Sequence, residues 1–127
     1  MISLGIDSTE INRFDNWINY DPVILIKIFD EEEIRYCCQN KVKSNEKFAG
    51  FFSAKEACYK AMSPILKEQI SLLKFFKYVS IKKSVHGVPL ISVNLKKLSI
   101  IESIKINKIF LSITHTKNIA TAVVILI

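Results

Sequence analysis

The sequence predicts an α+β fold, an antiparallel sheet packed with a long central helix, in a single domain covering residues 1–127. Three observations carry this reading. Strand-like runs stand at both ends of the chain, at residues 2–6 and again at 109–114 and 120–125. Residues 45–61 have a helical pattern: Ala54, Ala57, Cys58 and Ala61 recur at i, i+3, i+4 and i+7, a narrow face that another backbone could approach closely. The last two strands are joined by the short link His115-Thr116-Lys117-Asn118, which suits antiparallel neighbours.

Taken in order, residues 2–6 form a strand ending at Asp7. Asp7-Ser8-Thr9-Glu10 has the signature of a helix start, with Glu10 placed to reach back as in a capping box, so a helix is expected to about Asn19. Asp21-Pro22 opens a short helical piece, because proline suits the first turn. Asp30 before Glu31, Glu32 and Glu33 marks another start, a cap followed by acids over the positive helix end. Residues 41–47 are polar and read as a loop before the central helix, whose end Pro64 disturbs. Residues 65–76 fit either a helical piece or an irregular connection. Residues 78–82 and 90–93 alternate like strands around the turn Val85-His86-Gly87-Val88-Pro89, and residues 95–103 could form an amphipathic helix.

Half of the residues are hydrophobic, so a folded core is expected. No apolar run nears the roughly 18–20 residues that span a bilayer, and no basic leader precedes Asp7; a cytoplasmic protein with no membrane association is expected. Cys37, Cys38 and Cys58 match no zinc spacing and read as reduced thiols. The net charge of +6 suits an acidic partner, but its lysines lie in scattered doublets, and no aromatic residues interleave with a basic patch as in a nucleic-acid module.

Polar residues gather where elements end: Asp7 after the first strand, Glu56 and Lys60 on one face of the central helix, Gly87 and Pro89 in the hairpin, and His115 between the last strands. Each has a plain structural explanation, as a cap, a surface ion pair or a turn. Together, though, Gly5-Ile6-Asp7-Ser8-Thr9-Glu10-Ile11-Asn12-Arg13, then Phe52-Ser53-Ala54-Lys55-Glu56-Ala57-Cys58-Tyr59-Lys60-Ala61, then Gly87-Val88-Pro89, and then Ser112-Ile113-Thr114-His115-Thr116 resemble the holo-[acyl carrier protein] synthase family, the short bacterial type of 4′-phosphopantetheinyl transferase. The resemblance covers nearly the whole chain.

It implies an enzyme with that family's fold, a carrier protein and coenzyme A as partners, and a homotrimer with active sites between subunits. The implied reaction, a step serving fatty acid and lipid biosynthesis, moves the phosphopantetheine arm of coenzyme A to a serine of acyl carrier protein and releases adenosine 3′,5′-bisphosphate. Attack on a charged diphosphate by a weak oxygen nucleophile needs negative charge neutralised, work suited to Mg2+ held by one or two carboxylates. By resemblance Asp7 and Glu56 are the metal ligands, and Glu56 and Lys60 are the catalytic residues. The proton acceptor is either Glu56 or a metal-associated water. Lys60 would also bind the coenzyme, with Gly87, Pro89, Thr114, His115 and Thr116. Arg13 would face the carrier protein.

The chain departs from the family in three places. Met62-Ser63-Pro64 stands where a glycine-rich loop is common, Phe51 where an arginine is common, and Val88 where a basic residue often follows the hairpin glycine. These departures leave a second reading open, a non-catalytic module of the same fold that binds carrier protein or nucleotide.

Overall fold

The computed structural model describes residues 1–127. Strand β1 (Ser3–Glu10) pairs antiparallel with the last strand, β5 (Ile119–Leu126), which pairs on its other side with β4 (Ile109–His115). The sheet order is β1-β5-β4, so the first strand and β4 are its two open edges. A separate hairpin joins β2 (Val79–Lys83) to β3 (Pro89–Val93). The helices are α1 (Pro22–Leu25), α2 (Glu31–Cys38), α3 (Ser44–Met62) and α4 (Leu72–Phe76). No helix is long and apolar enough to cross a membrane.

Helix α3 is the axis of the molecule and crosses the three strands in turn. Gly50 lies against Ile113 of β4, Ser53 reaches the Ala120 carbonyl of β5, and Ala57 meets Gly5 of β1. The small-residue face makes this last approach possible. A Cβ on Gly5 would stand 1.9 Å from the Ala57 carbonyl oxygen and 2.7 Å from the Ala61 nitrogen, so only glycine fits. Facing the helix, β5 offers Ala120, Ala122, Val124 and Leu126, all fully buried. The other face of the sheet carries Leu4, Ile6 and Phe110, each about half exposed. Phe14, Phe29, Phe48 and Phe75 fill the core on the far side of α3, where Trp17 packs against the first three.

One ion pair lies inside this core. The Lys55 ammonium and the Glu33 carboxylate are 2.7 Å apart, and both side chains are almost wholly excluded from water. Lys55 also donates to the Ile28 carbonyl at 2.8 Å. Glu33 accepts from the backbone N–H of Asp30 and of Ile81.

The α2 start behaves as expected, with Asp30 and Glu33 closing a full capping box. Asp21 caps α1 by accepting from Val23. The region after Asp7 does not. Residues 7–10 continue β1, opposite Ala122, Thr121, Ala120 and Ile119, and short 3-10 turns at Ile11–Phe14 and Trp17–Asn19 replace the expected helix. Pairing along the whole of β5 satisfies more backbone than a local cap could, and Glu10 makes no capping bond. The helix expected at 95–103 is also absent. After a 3-10 turn at Leu95–Lys97 the chain runs extended beside residues 65–67, with Lys67 donating to Ser99 and Ile101 to Ile65. The polar stretch before α3 contributes its last residues, from Ser44, to that helix.

Candidate active site

Because β1 extends through Glu10, Asp7 is not a cap but a mid-strand residue on the face turned to α3, and it is almost buried. Alternation along the strand puts Thr9 beside it on the same face. The Thr9 hydroxyl donates to Asp7 Oδ2 at 3.1 Å, and the Ser53 hydroxyl donates to Thr9 Oγ1 at 2.8 Å. This relay from α3 through β1 orients the carboxylate. Thr9 and Ser53 were not among the residues expected at the site; a strand carried two residues further would have aligned Thr9 with Asp7.

Lys60 lies one turn beyond Glu56, yet its ammonium goes to the strand, reaching Asp7 Oδ1 at 2.9 Å and the Ile6 carbonyl at 3.1 Å. A Glu56–Lys60 surface pair, the plain structural explanation of their spacing, gives way to this contact because Asp7 is the less hydrated carboxylate. Half of the Lys60 side chain stays exposed. Glu56 stands beside Asp7. Burial first, then the adjoining Asp7 carboxyl, push the Glu56 carboxyl up to about 7, against the opposing pull of Lys60 and Arg13. Two acids from the first two motifs therefore share one place, with Lys60 and Arg13 beside them. No third His, Cys, Asp or Glu joins them. A hard divalent cation with two carboxylate oxygens, its remaining ligands coming from water and phosphate, matches this donor set.

Arg13 is exposed and lies over the rings of Phe14 and Phe52, 5.8 and 5.5 Å from their centroids. The rings hold an otherwise flexible guanidinium beside the acid pair.

The other predicted residues lie elsewhere. His115 ends β4, at the opposite edge of the sheet from Asp7, and its Nδ1 is 3.3 Å from Glu46 Oε2. It lines a 160 Å³ recess with Tyr36, Lys47, Phe51 and Lys83. Phe51 stacks on Tyr36 with ring centroids 5.2 Å apart, and the Lys47 ammonium lies 4.4 Å from the centre of the Tyr36 ring. Burial, and then the charge of Lys47, lowers the Lys83 pKa. Thr114 points to the opposite face of the sheet from His115, and the Thr116 hydroxyl is used by the turn, accepting from Asn118 and Ile119. Gly87 takes φ +77 at the exposed hairpin tip, with Pro89 starting β3. Within one chain, then, the acids and Lys60 form one group, while His115 and the hairpin form another.

Residues 3–124 match the profile described as the 4′-phosphopantetheinyl transferase superfamily, and the chain belongs to that family. Its relatives are more specific. The chain is 33% identical over 122 residues to a holo-[acyl-carrier-protein] synthase of Caldicellulosiruptor saccharolyticus, covering 96% of this chain and 93% of that one. A crystal structure of the Helicobacter pylori holo-[acyl-carrier-protein] synthase in complex with coenzyme A superposes with a TM-score of 0.71 at 29% identity, over 97% of this chain and 98% of that one. The Bacillus anthracis synthase, in complex with CoA (3′,5′-ADP), gives a TM-score of 0.72 at 26% identity, over 98% and 95% of the two chains.

Proposed function

We propose that this enzyme is a Mg2+-dependent holo-[acyl carrier protein] synthase, which transfers the phosphopantetheine arm of coenzyme A to a carrier-protein serine in the cytoplasm, in service of fatty acid and lipid biosynthesis. The observation that carries the proposal is the meeting of the Asp7 and Glu56 carboxyls, with the Lys60 ammonium on Asp7. The named relatives support the substrate pair.

In the reaction the serine oxygen forms a bond to the phosphorus that bears the pantetheine arm. The bond from that phosphorus to the bridging oxygen breaks, and adenosine 3′,5′-bisphosphate leaves. A bound Mg2+ would supply positive charge to the diphosphate, held by Asp7 and Glu56. The half-exposed Lys60 ammonium, with two N–H groups on Ile6 and Asp7, has a third for phosphate oxygens, and so stabilises charge in the transition state. Thr9 and Ser53 keep Asp7 in one orientation. The serine proton passes to the Glu56 carboxylate, directly or through one water. Arg13, steadied by Phe14 and Phe52, meets the acidic carrier protein.

The coenzyme is gripped by His115, Gly87, Pro89, Thr114 and Thr116 of a neighbouring copy. The separation of the two residue groups onto opposite sheet edges supports this, as does the half-exposed apolar face of Leu4, Ile6 and Phe110. Edge meeting edge is a head-to-tail contact that closes into a ring, and a homotrimer is the ring the family resemblance implies.

The test is mass spectrometry of apo acyl carrier protein incubated with this protein and coenzyme A. A phosphopantetheine mass increment is expected with Mg2+ and is expected to vanish with chelator. Asp7→Asn and Glu56→Gln are each expected to abolish it. Full transfer by both variants would overturn the assignment of the site, and carrier binding without any transfer by the wild type would favour the non-catalytic reading.

A further inference from the structure

We infer that the buried Lys55–Glu33 pair is a positioning device for the transfer, a pin that fixes the rotation of α3 and ties the β2–β3 hairpin to it. This rests on the transferase reading of the site. Lys55 precedes Glu56 on the same helix but faces the other way, toward α2.

A fully buried lysine is rare, and burial raises the Glu33 carboxyl even against the neighbouring ammonium. Such a pair is a poor choice for stability alone, since packed apolar residues of similar volume commonly serve as well or better. Its geometry suggests another use. The ammonium bonds to Ile28 ahead of α2, and the carboxylate bonds to Asp30 at the start of α2 and to Ile81 in β2. Four segments meet at one charge pair. Flanking it, Ser80 bonds to Asp30 and Lys82 pairs with Glu32, so three successive residues of β2 are held by the first turn of α2 and its cap.

The pin compensates for what the sheet side of α3 lacks. Ala54, Ala57 and Ala61 make a smooth face against Gly5, which allows close approach without interlocking large side chains, so on that side rotation is opposed mainly by the Ser53 and Lys60 hydrogen bonds to β1. The Glu56 carboxyl lies about 6 Å from the helix axis, so a rotation of about 10° moves it by about 1 Å. A misplacement of that size at a reacting centre is worth on the order of 10²-fold in rate. The same pin holds β2, which supplies Lys83 to the His115 recess, in register with Tyr36 of α2 and Phe51 of α3.

The deciding variant is the double replacement Lys55→Met with Glu33→Gln, neutral and of similar shape. It is expected to fold and to melt below the wild type, because Gln accepts from only one of the Asp30 and Ile81 N–H groups and the Ile28 carbonyl loses its donor. At temperatures well below that melt, kcat for transfer falls at least tenfold and KM for the carrier protein is unchanged. A folded double variant with wild-type kcat would overturn the inference. If the double variant does not fold, Glu33→Asp keeps the charge pair and shortens its reach by one methylene, which loosens the pin. It is expected to lower kcat by at least threefold, and wild-type kcat in it would count equally against the pin. Mn2+ binding to the substrate-free protein, followed by electron paramagnetic resonance, separates this inference from the reading beneath it. Half-saturation is expected to weaken at least fivefold in the variant whether or not the wild type transfers phosphopantetheine, and unchanged Mn2+ affinity would remove the pin.

Discussion

Replacing Gly5 with alanine is the sharpest test of how the site is assembled. The new methyl would meet the Ala57 carbonyl oxygen at 1.9 Å, against about 3.3 Å for an ordinary close C···O contact, so strand and helix must part by more than about 1 Å. Overpacking of this kind costs about 1–3 kcal/mol, and the upper end applies because the obstacle is backbone that no rotamer change can move. Alanine restricts the unfolded chain and returns about 0.4–1 kcal/mol, too little to reverse the sign. A net loss of about 2–3 kcal/mol lowers the melting temperature of a domain this size by roughly 10 °C. Far-UV circular dichroism melts measure this directly. Ala57→Gly should give no relief in combination, because the clash is with the carbonyl and not the methyl. β1 carries Asp7 only two residues further on, so transfer is expected to fall by about 10²-fold even at temperatures where the variant is folded. A variant melting within about 2 °C of the wild type, with full transfer, would refute the claim that this contact sets the strand against the helix.

In the metal-free protein Glu56 titrates at about 7, above its unfolded value of 4.5, so its contribution to stability is full below the unfolded value and is lost as pH rises through about 7. Melts in chelator should therefore show lower stability at about pH 8 than at about pH 6, by about 1 kcal/mol once solvent screening is allowed for, and Glu56→Gln should flatten that slope. Burial pushes the Cys58 thiol up to about 12 and Cys37 higher still. A thiol reagent at about pH 8 should label only Cys38 in the folded protein, slowly, and all three cysteines after denaturation. Arg13→Ala should raise KM for carrier protein about tenfold at low salt, leave KM for coenzyme A unchanged, and converge with the wild type as ionic strength rises.

Much of this was legible in the sequence because local chemistry and tertiary structure agree there. The α3 pattern, the Asp30 cap, the Gly87 turn and the two closing strands each stand where their residues suggest. The small-residue face of α3 is matched by a strand whose glycine needs it. What was not legible depends on partners far away in the chain. Asp7-Ser8-Thr9-Glu10 carries a strong local helix-start signal, yet β5 recruits it as strand, and this places Thr9 beside Asp7. The four-residue spacing of Glu56 and Lys60 suggests a pair that Asp7 displaces. Lys55 looks like any helical lysine, and nothing in its surroundings in the chain points to Glu33. Residues 95–103 have helical spacing, but they bond to residues 65–67 instead.

The path of α3 across β4, β5 and β1 has a consequence for how the protein fails under heat. A rod that touches every strand leaves no part of the sheet free to detach first, so its central amides should exchange with heavy water only when the entire domain opens. The acids of the site then cannot loosen in advance of that event, and thermal inactivation and thermal melting should follow a single curve.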